Sequence, residues 1–213
     1  MRLRFITFLA VLMLASLACQ TVLLGGAKKS GAVLFQDDFS NASSGWKQGN
    51  TGDGKASYDD GVYRISVSQP STDVWASPGF SFDDVRIEVD ASKAGGPEDN
   101  DFGVICRSTD AKNFYFFTIS SDGYYGIGKF KSGVQILIGE TSMQTTDKIR
   151  RGEQINHIRA DCVGSTLTLY VNGQKIRTVN DSDFSSGEVG LIAGAFDTPG
   201  TDIQFDNFTV LKP

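Results

Sequence analysis

Apolar and polar residues alternate along this chain in short segments, each bounded by turn residues. Val62-Tyr63-Arg64-Ile65-Ser66-Val67 alternates, and so does Val85-Arg86-Ile87-Glu88-Val89-Asp90, with Val85, Ile87 and Val89 on one face. Successive side chains of a strand point to opposite faces, so each segment reads as a half-buried strand. The pattern predicts further strands over 101–107, 113–120, 124–130, 155–163, 166–171, 175–179, 188–195 and 202–211. Ser120-Ser121-Asp122-Gly123 and Asn172-Gly173 mark hairpin turns, because Asp, Asn and Gly tolerate positive φ. Along the last strand Ile203 and Phe205 are in phase, whereas Phe208 and Val210 are not, which predicts a β-bulge near Asp206-Asn207. No segment of 12 or more residues carries a helical period. Strands spaced near ten residues apart predict an all-β fold, a two-sheet antiparallel β-sandwich or jelly roll.

The N-terminus breaks this pattern. Arg2 and Arg4 precede a run of 14 mostly apolar residues from Phe5 to Ala18. That is short for a membrane span and suits the hydrophobic region of an export signal. The run ends in Ser16-Leu17-Ala18-Cys19. A small residue directly before a Cys resembles the lipobox of bacterial lipoproteins, although Ser16 stands where that family usually has an aliphatic residue. The resemblance implies a lipoprotein signal peptide over 1–18, lipidation at Cys19 and a flexible tether over 19–31. Ordinary cleavage after Ala18 and an uncleaved anchor running through Thr21-Val22-Leu23-Leu24 are the alternatives. The expected location is exported and lipid-anchored, at the cell membrane or cell surface. The domain proper then occupies 32–213, long enough for one sizeable core.

Charge narrows the partners. Lys+Arg is 20 against Asp+Glu 25, a net charge of −5, and removing residues 1–18 takes it to −7. An acidic surface excludes nucleic acid and repels anionic headgroups, so membrane attachment falls to the lipid. A single His leaves little room for a His-rich metal site or a catalytic triad. The glycines of Gly123-x-x-Gly126-x-Gly128 lie across a hairpin rather than before a helix, so no nucleotide is expected.

Two cysteines remain after Cys19. Cys106 shares strand parity with Phe102 and Val104, and Cys162 with Ile158 and Ala160, so both point inward. In an exported chain they suit a disulfide closing a 57-residue loop, the alternative being two separate buried thiols.

The run Leu34-Phe35-Gln36-Asp37-Asp38-Phe39 with Gly45-Trp46, then Asp101-Phe102-Gly103-Val104-Ile105-Cys106-Arg107, resembles the concanavalin A-like lectin/glucanase superfamily. Thr166 to Gly173, Gly187-Glu188-Val189-Gly190-Leu191 and Phe205-Asp206-Asn207-Phe208 fit the same pattern. More narrowly it is similar to the bacterial 3-keto-disaccharide hydrolase, laminin-G-like domains. The resemblance implies a jelly-roll sandwich, and such folds host lectins, glycosidases and adhesion modules alike.

Candidate chemistry follows. Glu88 and Asp90 share a face about 6–7 Å apart, a spacing that suits acid and base work on a glycosidic bond. Laminarinase-like members of the superfamily follow Glu-x-Asp with a second Glu, and here Ala91-Ser92-Lys93 follows instead. The bland reading of the pair is the polar face of an amphipathic strand. Asp99 with Asp101, Asp181 with Asp183, and Asp38 with Asp206 suit calcium, or ordinary turns. Trp46, Trp75, Tyr115, Tyr124 and Tyr125 suit stacking on sugar rings, or the core. Arg107 follows the inward Cys106 and is expected on a sheet surface, where it would bind a carboxylate or a hydroxyl pair. His157 is expected on the solvent side of its strand, with no nucleophile motif beside it.

The reading that results is a cell-surface lipoprotein whose sandwich binds a polysaccharide or oligosaccharide without turnover. A glycoside hydrolase or related sugar-processing enzyme, and an adhesion module binding protein, are the alternatives.

Overall fold

Alternation becomes strand wherever the sequence carries it clearly. The computed structural model describes residues 31–213, so the expected signal peptide, Cys19 and the tether before Gly31 lie outside the described residues. The strands are β1 (Val33–Asp37), β2 (Gly49–Asn50), β3 (Gly54–Asp59), β4 (Val62–Val67), β5 (Thr72–Ala76), β6 (Ser81–Phe82), β7 (Val85–Gly95) and β8 (Asn100–Asp110). They continue as β9 (Asn113–Ile119), β10 (Tyr124–Lys131), β11 (Val134–Leu137), β12 (Gln144–Thr145), β13 (Asn156–Val163), β14 (Thr166–Val171), β15 (Gln174–Asn180), β16 (Gly187–Ala195) and β17 (Thr201–Leu211). No helix occurs among the described residues.

Two antiparallel sheets form a sandwich. One runs β15-β14-β13-β7-β17-β4-β3-β2, with β1 also on β17. The other runs β11-β10-β9-β8-β16-β5, with β12 on β10 and β6 on β16. Sequence neighbours form hairpins, but the sheet centres join distant strands: β7 lies between β13 and β17, and β16 between β8 and β5.

The inward residues of both sheets meet in one core. Val85, Ile87 and Val89 of β7 face it, as do Phe102, Val104 and Cys106 of β8. The anticipated disulfide is present: Cys106 bonds Cys162, joining β8 of one sheet to β13 of the other through the core. Trp46 belongs to this core rather than to a stacking surface. Its ring meets Phe208 edge-on at 4.9 Å and its Nε1–H donates to Asp37 at 2.9 Å, which satisfies the buried donor.

Of the register shifts in the ladders, two bear on the expected residues. The register shifts between Asp206 and Thr209, with Asn207 at φ 55°, where the loss of phase predicted a bulge. The second, between Cys106 and Asp110, carries no such mark in the sequence. It puts Arg107 at φ 54° and turns the side chain off the sheet surface into the end of the sandwich, where it is 2% exposed. The guanidinium donates to the carbonyls of Asp83 (3.0 Å), Gly164 (2.7 Å) and Phe184 (3.0 Å), and to Asp84 Oδ1 (3.0 Å). Arg107 therefore clamps three loops with its fixed fork of donors and is not free for a ligand.

Replacing both cysteines by Ser is expected to cost roughly 4 kcal/mol on the chain-entropy account of a loop this long. Urea unfolding of the oxidised protein and the double variant checks it; equal midpoints would refute a stabilising cross-link.

Candidate functional site

The outer face of the eight-stranded sheet collects what the core excludes. In β5, Val74 and Ala76 face the core, so Asp73 and Trp75 face out. In β8, Phe102 and Val104 face in, and Asp101, Gly103 and Ile105 face out. Gly194 of β16 lies between the two strands, paired with Asp73 on one side and Asp101 on the other. A Cβ added at Gly194 would sit 2.0 Å from Asp101 Oδ1 and 2.2 Å from Asp73 Oδ1. The two carboxyls thus lean toward each other over a strand that offers no side chain.

Asp101 is buried and Asp73 half-buried. Burial disfavours a charged carboxylate, and it pushes Asp73 up to about 6. Asp101 is raised well above the usual range by burial first and by the Asp73 charge second, with the Thr118 hydroxyl pulling the other way. That hydroxyl is buried and faces the Asp101 carboxyl. No Lys, Arg or His neutralises either acid. Like charges this close cannot both ionise cheaply, so near neutrality the pair titrates as a unit holding one proton.

The next rows are smooth and apolar. Trp75, Ile192, Gly103, Thr118 and Gly126 follow one another across the sheet. Ile105, Phe114, Phe116 and Ile192 form a second apolar cluster outside the main core, with Trp75, Phe130 and Leu137 against it. The Trp75 ring lies 5.3 Å from that of Phe114. At one end of the face Tyr124, 40% exposed, borders an open cleft of about 740 Å³ with Asp99, Ser120, Asp122 and Phe196. Small-molecule sites occupy roughly 300–1,000 Å³. At the other end Trp75, Lys47 and Glu188 border a smaller cleft.

The other expected residues fall elsewhere. Glu88 and Asp90 lie on the outer face of the nine-stranded sheet, on the opposite side of the molecule from Trp75 and Tyr124. There His157 Nδ1 is 2.8 Å from Asp90 Oδ1, its Nε2 is 3.8 Å from Glu88, and Asn207 Nδ2 donates to Asp90 at 3.1 Å. His157 is solvent-exposed as expected, but it belongs to this exposed polar network. Tyr115 is core: its hydroxyl donates to Asp181 at 2.6 Å, and burial, then that carboxylate, push the phenol up to about 12. Tyr125 is half-buried against the main core.

The calcium candidates do not converge. Asp181 and Asp183 are taken by Lys129, and Asp183 also by Lys131. Asp38 accepts from Ser40 Oγ at 2.6 Å, and Asp206 from the Asn207 N–H at 2.7 Å. Asp99 is exposed at the Tyr124 cleft, whereas Asp101 is committed to the pair with Asp73. Among the described residues no group of three or more His, Cys, Asp or Glu is arranged to hold a metal ion.

Residues 32–211 match the 3-keto-alpha-glucoside-1,2-lyase-like domain family. The chain belongs to it. Among curated proteins no relative matches the sequence. Solved structures share the fold of this lyase-like domain. The carbohydrate-binding module CBM66 from Bacillus subtilis superposes with a TM-score of 0.55 at 23% identity, over 79% of this chain and 96% of that one. A Bacillus licheniformis beta-glucanase gives 0.60 at 14% identity, over 87% and 100%. A protein with a galectin-like fold from Bacillus subtilis gives 0.62 at 14%, over 86% and 97%. The lyase-like domain is therefore a concanavalin A-like sandwich of the kind that carbohydrate-binding modules and glucanases share.

The carboxyl pair leaves a mark on stability. Both groups hold protons more readily folded than unfolded, so they support folding below the ordinary carboxylate value of 3.8. The share of Asp73 is lost as pH rises through about 6. Asp73→Asn is expected to raise stability at pH 8 by on the order of 2 kcal/mol while changing little at pH 3.5. Urea unfolding at the two pH values checks it, and an equal effect at both would refute it.

Proposed function

We propose that this is a lipid-anchored cell-surface protein whose sandwich binds glycans without turning them over, on the outer face of the eight-stranded sheet. The observation that carries the reading is that Trp75, Tyr124 and the Asp73–Asp101 pair share that one face, along a surface in which Gly103, Gly126 and Gly194 carry no side chains. Aromatic faces cover sugar C–H surface, and carboxyls bond hydroxyls. The names of the family and of the CBM66 neighbour both concern sugars, which agrees with this chemistry.

A second reading, a sugar-processing enzyme, is favoured by one observation. Two carboxyls that share a proton contain both an acid and a base, which hydrolysis or elimination requires. In that reading Asp73 and Asp101 replace Glu88 and Asp90 as the working acids.

The full-length protein, purified in detergent and applied to a glycan array, is expected to bind a subset of glycans. Trp75→Ala and Tyr124→Ala should each weaken binding roughly tenfold, the loss expected of a stacking anchor of about 1.4 kcal/mol. Glu88→Gln, on the far face, should leave binding unchanged. No binding by folded protein, or loss with Glu88→Gln alone, overturns the reading. Release of a new sugar product selects the enzyme instead. Independently, Cys19→Ser should move the protein from the membrane fraction to the soluble fraction on fractionation of the expressing bacterium. Retention of the variant in the membrane would refute the lipid anchor.

A further inference from the structure

We infer that the cleft beside Tyr124 takes a cationic amino sugar, with the free amine among Asp99, Asp122 and Asp197 and the sugar ring against Tyr124 and Phe196. This rests on the glycan-binding reading and adds the class of sugar and the place that selects it.

The cleft has two kinds of wall. Tyr124, Phe196 and Met143 supply the apolar one, and Tyr124 is 40% exposed. An aromatic ring left this open at a concave surface has a face to offer a ligand. Asp99, Asp122 and Asp197 supply the charged wall, brought together from the loop before β8, the turn between β9 and β10, and the loop after β16. The Ser120 hydroxyl donates to Asp122 and holds that acid in place without adding charge. No Lys, Arg or His lines the cleft. Arg151 packs against Gly123 beside it, and Glu98 packs against the adjoining Gly152. Elsewhere, neighbouring aspartates share a cation: Lys129 reaches both Asp181 and Asp183, and Arg64 both Asp59 and Asp202.

The cleft also lies far from the expected anchor. β17 starts after the 196–200 loop at the cleft and runs away from it for 11 residues, roughly 35 Å. It ends at Leu211, paired with Val33, where the Gly31 N–H donates to the Lys212 carbonyl at 2.7 Å. The segment that carries Cys19 therefore joins the domain at the end opposite the cleft.

These walls select by charge. An ammonium group makes charge-assisted hydrogen bonds to carboxylates and is attracted to the face of an aromatic ring. A uronate would bring like charge to three acids with no lining cation to offset it. A neutral sugar would stack but offer the acids hydroxyls alone. For a bare metal ion, no group of three or more His, Cys, Asp or Glu is arranged to hold one among the described residues.

The test is calorimetric titration of the full-length protein in non-ionic detergent, at about pH 5.5 and low salt. The probes are chito-, N-acetylchito- and cello-oligosaccharides, which share one backbone and carry an amine, an acetamide or a hydroxyl at the same carbon. Oligogalacturonate and oligolysine are the controls for charge. The amine series should bind at least tenfold tighter than any other probe, and severalfold more weakly once salt is raised. Tyr124→Ala should weaken it roughly tenfold. Asp99→Asn, Asp122→Asn and Asp197→Asn should each cost about threefold, and the triple variant should lose the preference over the hydroxyl series. Asp206→Asn, on the far face, should change nothing. A hydroxyl or acetamide series that binds as well as the amine series, or binding of oligogalacturonate, overturns the inference and leaves the glycan-binding reading standing. Equal binding of oligolysine, or equal loss with Asp206→Asn, reduces the attraction to overall negative charge and also overturns it. Failure of every oligosaccharide, here and on the array, overturns both.

Discussion

The two-residue alternation along β8 sets where the rest of the molecule can go. Phe102, Val104 and Cys106 commit one side of this strand to the core and to the cross-link with β13. The same alternation commits Asp101, Gly103 and Ile105 to the opposite face. A slip of one residue would put Asp101 into the core and Phe102 into solvent, so the burial of three apolar side chains fixes the register of the acid. The strand then ends its regular course at the bulge, where Arg107 leaves the alternation and ties three loops together. One strand thus holds the sheets together, presents half of the acid pair and closes one end of the sandwich.

The cost of the acid pair is carried by that framework. A buried carboxylate without a cation opposes folding, and Asp101 and Asp73 are both of this kind. They persist because their backbones are held by the ladders β8 to β16 to β5, whose inward residues are apolar. The opposite sheet shows the contrast. Asp90 has His157 and Asn207, and Asp161 has Arg86 and Arg159, all partly exposed. Those pairs satisfy each other in solvent and are worth little individually. A face whose charges are already satisfied has little to gain from a ligand; a face with unpaired buried acids has much.

The architecture was legible because its signals are local. Alternation located most long strands, Asn172-Gly173 located a hairpin whose turn residues have φ of 51° and 78°, and the phase break at Asp206-Asn207 located a bulge. The parity of Cys106 and Cys162 anticipated a bond between strands in different sheets. Short strands such as β3 and β11 were harder, since Gly54-Lys55-Ala56 and the exposed Val134-Gln135-Ile136 lack a clear buried face. The site was less legible because its geometry is not local. Asp73, Asp101 and Gly194 are far apart in sequence and meet only through strand pairing. In the sequence Asp101 reads with Asp99 as a turn acid, which is its sequence neighbourhood and not its spatial one. Arg107 followed the parity rule in prospect, and the bulge that breaks the rule depends on Gly187, where any Cβ would meet the Arg107 carbonyl carbon at 2.6 Å.

Binding and turnover make different demands on this face, and the difference is physical rather than a matter of fold. A shared proton serves a bound sugar equally well whether or not a bond is broken. Catalysis further requires that some contact strengthen as charge develops in the transition state. Across the rows that surround the pair the side chains are Trp75, Ile192, Thr118 and glycines, without a cation or an amide aimed at the acids. On the proposed reading these rows would stack on and hydrogen-bond a sugar in its ground state, with no positive group beside the acids for a developing oxyanion. Turnover by Asp73 and Asp101 would therefore need a positive group from outside these rows, which glycan binding would not.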